Sequence, residues 1–169
     1  MLLTGRFVRS LDDKQRVALP KRLREILETE PQSPLFLTPW HEAALALFPQ
    51  ANLVELATRL AAGSTSRSEV RTFHRLFYAQ AERIEPDEQS RFRIGPELMH
   101  HAKLSKEVVF VGVYDHVEIW DRERWEAYFT ANSPQYDQLA RQAFGGEADP
   151  APPHLATSDH RPTTEAETT

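Results

Sequence analysis

The sequence predicts an α+β fold in which one small β unit with peripheral helices occurs twice. Residues 12–19 and 87–94 share an acidic pair, an arginine and alternating apolar positions at an offset of 75 residues. Strand patterns and short helices follow both stretches in the same order. Units this small leave strand edges unpaired when alone, so we expect the two copies to pack as one pseudo-twofold body, followed by a disordered C-terminal tail.

Length and composition bound the class of protein. The chain has 169 residues, of which 40% are apolar, enough for one ordinary domain or two small ones. No apolar window is long enough to span a membrane, and residues 1–6 lack the pattern of a signal peptide, so we expect a cytoplasmic protein with no membrane partner. The absence of cysteine excludes disulfides, thiolate metal sites and cysteine nucleophiles.

Charge is unevenly distributed along the chain. The net charge of −5 argues against nucleic-acid binding, because most of that affinity comes from neutralising phosphates. However, residues 145–169 hold five acids and one base, and the rest of the chain is close to neutral. Between residues 6 and 24, seven bases accompany only two acids, Asp12 and Asp13. The N-terminal region is therefore a local basic patch.

The first copy begins with two strands. Apolar-polar alternation at 7–11 and 16–19 predicts strands joined by a β-hairpin or a tight crossover. In the second of these strands, Val17 and Leu19 should face the core while Arg16 faces outward.

Further elements complete both copies. In the first, a short helix follows Pro20, residues 35–37 and 44–48 predict a pair of strands, and Pro49 opens another helix. The second copy should end with a hairpin at 108–120 and a helix capped by Asp121. These patterns divide the chain into a first repeat, a connecting helix, a second repeat and a disordered acidic tail, at 1–63, 64–81, 82–144 and 145–169.

Nothing in the sequence indicates catalysis. It contains no Gly-rich phosphate loop, no nucleophile elbow and no recognisable triad context. His100 and His101 are adjacent, so on a helix they point in different directions, and no third metal ligand is evident. We therefore predict neither an enzyme nor a metal or cofactor site.

The two Asp-to-Arg stretches, together with residues 106–113 and 117–121, resemble the bacterial MraZ family. The resemblance covers about residues 1–128. It implies two tandem swapped-hairpin units, related to AbrB and SpoVT, assembled into a ring-shaped homo-oligomer. It also implies a nucleoid-associated transcriptional regulator, usually a repressor, that binds double-stranded DNA at repeated boxes upstream of its own division and cell-wall operon.

The resemblance also implies which residues face DNA. The lysine and arginine of the family's motif fall on Lys14 and Arg16, and Arg9 is their neighbour on the basic patch. In the second copy Gln89 replaces the lysine and only Arg91 remains. The first copy is therefore the predicted DNA-contacting one.

Both turns depart from the family pattern at one position. Gln15 and Ser90 stand where a glycine usually precedes the arginine. If that position needs a positive φ, a side chain there costs about 1 kcal/mol; otherwise the turn has another shape. Asp12 and Asp87 are interpreted as turn-forming residues that bond the local backbone.

A second hypothesis belongs to another class of protein. With an acidic balance and two missing glycines, the chain could be an oligomeric interaction scaffold without specific DNA binding. Its basic face would then be solvated, and its aromatic faces would carry the interactions.

Overall fold

The computed structural model describes residues 2–27, 34–62 and 68–145. The strands are β1 (Arg6–Ser10), β2 (Arg16–Ala18), β3 (Leu35–Pro39), β4 (Leu45–Pro49), β5 (Glu82–Ile84), β6 (Arg91–Arg93), β7 (Glu107–Val113) and β8 (His116–Asp121). The helices are α1 (Lys21–Leu27), α2 (Gln50–Ala62), α3 (Ser68–Ala79), α4 (Pro96–Ala102), α5 (Arg122–Asn132) and α6 (Tyr136–Ala143). The predicted α+β class is confirmed.

The chain divides into two units, Met1–Phe129 and Thr130–Thr169. The first contains β1 to β8, and the described part of the second contains α6. The predicted disordered tail, 145–169, lies outside the described residues except for Gly145. None of the helices in the described ranges has the length and apolarity needed to cross a lipid bilayer.

The strands of the first unit form two antiparallel sheets. One sheet has six strands in the order β1-β7-β8-β4-β3-β5, and the other consists of β2 and β6. Consecutive strands β1 and β2 therefore belong to different sheets, and β1 pairs instead with β7, Phe7 lying opposite Phe110. Of the two predicted connections between these strands, the structure has the crossover.

The predicted inward positions of the short strands lie in one core. Val17 and Leu19 are buried, and so are their counterparts Phe92 and Ile94. The two helices that follow contribute Leu23 and Leu98 to the same cluster, each at 0% exposure. The alternation in the sequence thus predicted the buried face of the first copy correctly, and the second copy buries the corresponding positions.

Two other predicted features are confirmed at the end of the second copy. Strands β7 and β8 form a hairpin whose turn holds Tyr114 and Asp115. Asp121 caps α5, because its Oδ1 accepts hydrogen bonds from the backbone N–H groups of Glu123 at 3.1 Å and Arg124 at 3.4 Å. Helix α6 was not predicted from the sequence.

Candidate nucleic-acid interface

The turn between β1 and β2 is built around the carboxylate of Asp12. Its Oδ1 accepts hydrogen bonds from the backbone N–H groups of Lys14 and Arg16, both at 2.9 Å. Its Oδ2 accepts a third from Nε of Arg16 at 2.8 Å. Asp12 therefore forms the turn, as predicted, and also fixes the direction of the Arg16 side chain.

The turn before β6 repeats this arrangement. Oδ1 of Asp87 accepts from the backbone N–H groups of Gln89 at 2.9 Å and Arg91 at 2.8 Å. The Arg91 guanidinium donates to Oδ2 through Nε at 3.0 Å, and its terminal nitrogen lies 2.9 Å from the same oxygen. Two stretches of different sequence thus adopt one turn geometry.

These bonds keep both carboxyl groups ionised. The pKa of Asp12 is lowered from 3.8, first by the hydrogen bond from the backbone N–H of Arg16. The pKa of Asp87 is lowered in the same way, first by the backbone N–H of Arg91. A carboxylate that accepts several N–H groups favours its charged form, which holds each turn in shape at neutral pH.

The residue before each arginine has a left-handed backbone conformation. Gln15 and Ser90 both have φ of 61°. In each turn the N–H of this residue donates to the carbonyl of the aspartate, at 2.9 Å for Asp12 and 2.7 Å for Asp87. Of the two shapes left open by the sequence, the turns have the one that favours glycine.

The same two residues join the turns across the small sheet. The carbonyl of Gln15 accepts from the N–H of Ile94 at 3.0 Å, and that of Ser90 accepts from the N–H of Leu19 at 2.8 Å. Within the sheet, Arg16 lies opposite Arg93. The two turns therefore enter this ribbon at opposite ends, and each is supported by a strand of the other copy.

The first turn borders a shallow depression of about 490 Å³, whose lining residues are Asp13, Lys14, Gln15, Arg16 and Arg93. Lys14 and Arg93 are exposed, and neither forms an ion pair within the described ranges. Arg16 uses Nε for Asp12, and its terminal nitrogens have no partner among the residues that the structure describes. Three cations thus present unused donors to one surface.

Arg9, the third predicted site residue, lies outside the lining of this depression. It sits on β1 opposite Val108, half-buried, and its Nη1 donates to the carbonyl of Val8 at 2.7 Å. The structure therefore brings Lys14 and Arg16 together and leaves Arg9 on β1, which belongs to the six-stranded sheet.

Arg93 was missed from the sequence. It is exposed and lies between the buried Phe92 and Ile94. Its counterpart in the first copy is Ala18, so comparison of the two stretches did not indicate that Arg93 is a site residue. Only the pairing of β2 with β6 puts it beside Arg16.

The second turn offers fewer free cations. Gln89 replaces the lysine, and the residue opposite Arg91 is Ala18. Ser90 is 9% exposed, and its hydroxyl accepts a hydrogen bond from Nη1 of Arg24 in α1. The two turns share a shape but differ in the charge they present.

Guanidinium and ammonium groups with unused donors suit a polyanion such as nucleic acid. Comparison with known proteins shows which family the chain resembles. The model of the family described as "MraZ protein, putative antitoxin-like" matches residues 77–145.

Relatives match over most of the chain. A protein from Nocardia farcinica named "Transcriptional regulator MraZ" is 32% identical over 145 residues, which are 86% of this chain and 99% of that protein. Proteins of the same name from Moorella thermoacetica and Thermomicrobium roseum are 35% and 36% identical, covering 83% and 75% of this chain and 96% and 86% of their own. By these names the family is one of transcriptional regulators and not of enzymes. The chain belongs to the MraZ family.

Proposed function

We propose that the chain is a sequence-specific DNA-binding regulator that contacts double-stranded DNA through its first turn. The observation that carries this proposal is the placement of Lys14 and Arg16 on one depression, with donors unused among the described residues. Arg16 is oriented by Asp12 before any ligand arrives. Pre-organisation of this kind lowers the entropy lost on binding.

The two side chains suit different parts of DNA. The terminal nitrogens of Arg16 form a two-donor fork that matches O6 and N7 of guanine, a pair worth about 1–3 kcal/mol of discrimination. Lys14 is a flexible point charge and suits a phosphate. Arg9 adds positive charge on β1, the strand before the turn in the sequence, where it supports the same contact at longer range.

We further propose that two tandem swapped-hairpin units build each subunit and that subunits assemble into a ring. Strand pairs β1–β7, β2–β6 and β3–β5 each join the first repeat to the second, which supports this organisation. A ring would carry several first turns, each engaging one of the repeated boxes upstream of its own operon. Boxes spaced by about one helical turn would keep these contacts on one face of the DNA. Bound there, on the nucleoid, the protein would repress its own division and cell-wall genes.

The second turn provides a matched control for the test. Arg16→Ala and Arg91→Ala each remove an arginine that is bonded to the aspartate of its own turn. Fluorescence anisotropy should be measured with a duplex from upstream of the gene and with a scrambled duplex, at about 50 and about 200 mM salt. Arg16→Ala should lose the preference for the upstream duplex, while Arg91→Ala keeps it.

Equal binding by both variants and the wild type would contradict the assignment of the first turn. Failure of the wild type to bind either duplex at low salt would favour the alternative, an oligomeric scaffold without DNA binding. Light scattering of the wild type and both variants would measure the molar mass and therefore the number of subunits in the proposed ring. A promoter reporter in cells would separate repression from activation.

A further inference from the structure

We propose that Arg93, from the second repeat, is a phosphate-contacting residue that completes the DNA site of the first turn. The proposal rests on the function proposed above and deepens it, because it assigns to the second repeat a direct part in the site. It also divides the site into a base-reading arginine and an anchoring arginine.

The strand register places Arg93 and Arg16 side by side. They are directly opposite each other in the antiparallel pair β2–β6. Side chains of opposite residues lie on the same face of a sheet, with Cβ atoms about 4.5–5.5 Å apart. The adjacent pair, Val17 and Phe92, is buried on the other face. Both arginines therefore face the depression, which they line together.

Two like charges in this position destabilise a sheet unless something compensates them. Asp12 compensates Arg16, but no carboxylate within the described ranges pairs with Arg93. Asp13 is the other acid of the depression, and it is exposed. A phosphate of the DNA backbone would supply the missing negative charge.

The two arginines differ in how firmly they are held. Nε of Arg16 is bonded to Asp12 at 2.8 Å, which fixes its fork for recognition of a base edge. Arg93 is exposed and makes no hydrogen bond through its side chain to any described residue. A side chain free to move adapts to a phosphate, whose recognition needs charge more than a fixed direction.

This arrangement belongs to the first turn alone. At the other end of the ribbon, Ala18 occupies the position opposite Arg91. The second turn therefore has an oriented arginine with no arginine opposite it in the sheet. The two turns thus differ at two positions. Beside the first turn lies Arg93, where the second turn has Ala18, and the first turn has Lys14 where the second has Gln89.

The test compares Arg93→Ala, Arg93→Lys, Arg16→Ala and Arg16→Lys on the upstream and scrambled duplexes. Arg93→Ala should weaken binding to both duplexes by the same factor, and the slope of log affinity against log salt should become shallower by about 0.9. Arg93→Lys should restore both quantities, since a point charge suffices for phosphate. Arg16→Lys should not restore the preference lost in Arg16→Ala, since that preference needs the fork.

Unfolding in urea separates a binding role from a structural one. Arg93→Ala should be at least as stable as the wild type, because it relieves the like-charge pair. A fall in stability that parallels the fall in affinity would overturn the proposal, as would a changed preference between the duplexes. Unchanged binding by Arg93→Ala, with Arg16→Ala impaired, would overturn this inference alone. Unchanged binding by both variants would overturn the proposed function as well.

Discussion

Gln15 and Ser90 share one left-handed backbone conformation, with φ of 61° at both, in turns 75 residues apart. Neither is glycine, so each turn contains a strained residue. The strain is tolerated because the surrounding bonds determine the turn: each carbonyl accepts a backbone N–H of the other copy. The shape of the turn is therefore maintained by the bonds to its own aspartate together with the pairing of the two copies, against the preference of a non-glycine residue at this position.

Gln15→Gly should stabilise the protein by up to about 1 kcal/mol, because glycine adopts a positive φ without a steric cost. Equilibrium unfolding in urea would measure the change. Gln15→Ala is the matched control, since it shortens the side chain but keeps Cβ, and it should give no such gain. Ser90→Gly should gain less than Gln15→Gly, because it also removes the hydroxyl that binds Arg24. Equal stability of the glycine and alanine variants at position 15 would contradict the strain argument.

Asp12→Asn and Asp87→Asn should separate folding from DNA binding. Both lose a carboxylate that accepts three hydrogen bonds of its own turn, so both should unfold more easily. Only Asp12→Asn should also lose DNA preference, because Arg16 is no longer oriented. Since the folded pKa of Asp12 lies below 3.8, its contribution is present above about pH 4 and disappears as the pH falls through the folded value. Equal DNA binding by the two variants would count against the role of Asp12 as a positioning residue.

His116 should make stability depend on pH. Its ring stacks on Phe48 at 4.9 Å, its Nδ1 lies 2.7 Å from Asp115, and its Nε2 lies 3.6 Å from Glu118. Burial lowers the pKa of His116, but the carboxylates of Glu118 and Asp115 raise it by more, so the folded pKa exceeds 6.5. Stability from this group is complete below the unfolded pKa and is lost as pH rises through the folded pKa.

The variant His116→Gln isolates this contribution. Its free energy of unfolding should fall furthest below that of the wild type near pH 5.5, and the difference should narrow towards about pH 9. The pKa of Glu118 is lowered, so this carboxylate stays charged over the whole range. A difference that is the same at every pH would show that His116 acts through packing on Phe48 and Trp40 alone.

Asp121→Ala should cost more than the loss of an ordinary helix cap. Asp121 is 5% exposed, and besides capping α5 it accepts from the backbone N–H of Ser105 at 3.1 Å and from the Ser105 hydroxyl at 2.7 Å. We expect a loss of about 2–3 kcal/mol, the cap giving about 1 and the bonds to Ser105 the rest. Ser105→Ala should lose only its hydroxyl bond, about 1 kcal/mol. Equal losses of unfolding free energy for Asp121→Ala and Ser105→Ala in chemical denaturation would show that the helix cap contributes nothing beyond the bond to the Ser105 hydroxyl.

The order of elements and the buried face of the short strands could be predicted from the sequence, because both depend on local periodicity. Phe92 lies between two arginines, and Val17 and Leu19 occur at alternate positions after Arg16, and that pattern specifies a face. The partner of a strand is not a local property. Nothing near Arg93 indicates that it lies opposite Arg16, since this depends on β2 pairing with β6 across the intervening chain. Helix α6 was missed because no side chain caps its start, so the sequence lacks the signal of a capping residue there.

Because β1 pairs with β7 and β2 pairs with β6, neither N-terminal strand can pair until the second repeat has been synthesised. At about 5–20 residues per second, synthesis of the stretch between β2 and β6 takes about 4–15 s, during which β2 has no ladder partner. A ribosome that stops within this stretch releases a chain in which the carbonyl of Gln15 lacks the N–H of Ile94. Such a fragment keeps the bonds that Asp12 makes within the turn but lacks the support of β6. Incomplete translation products therefore should not compete with the finished protein for its binding sites.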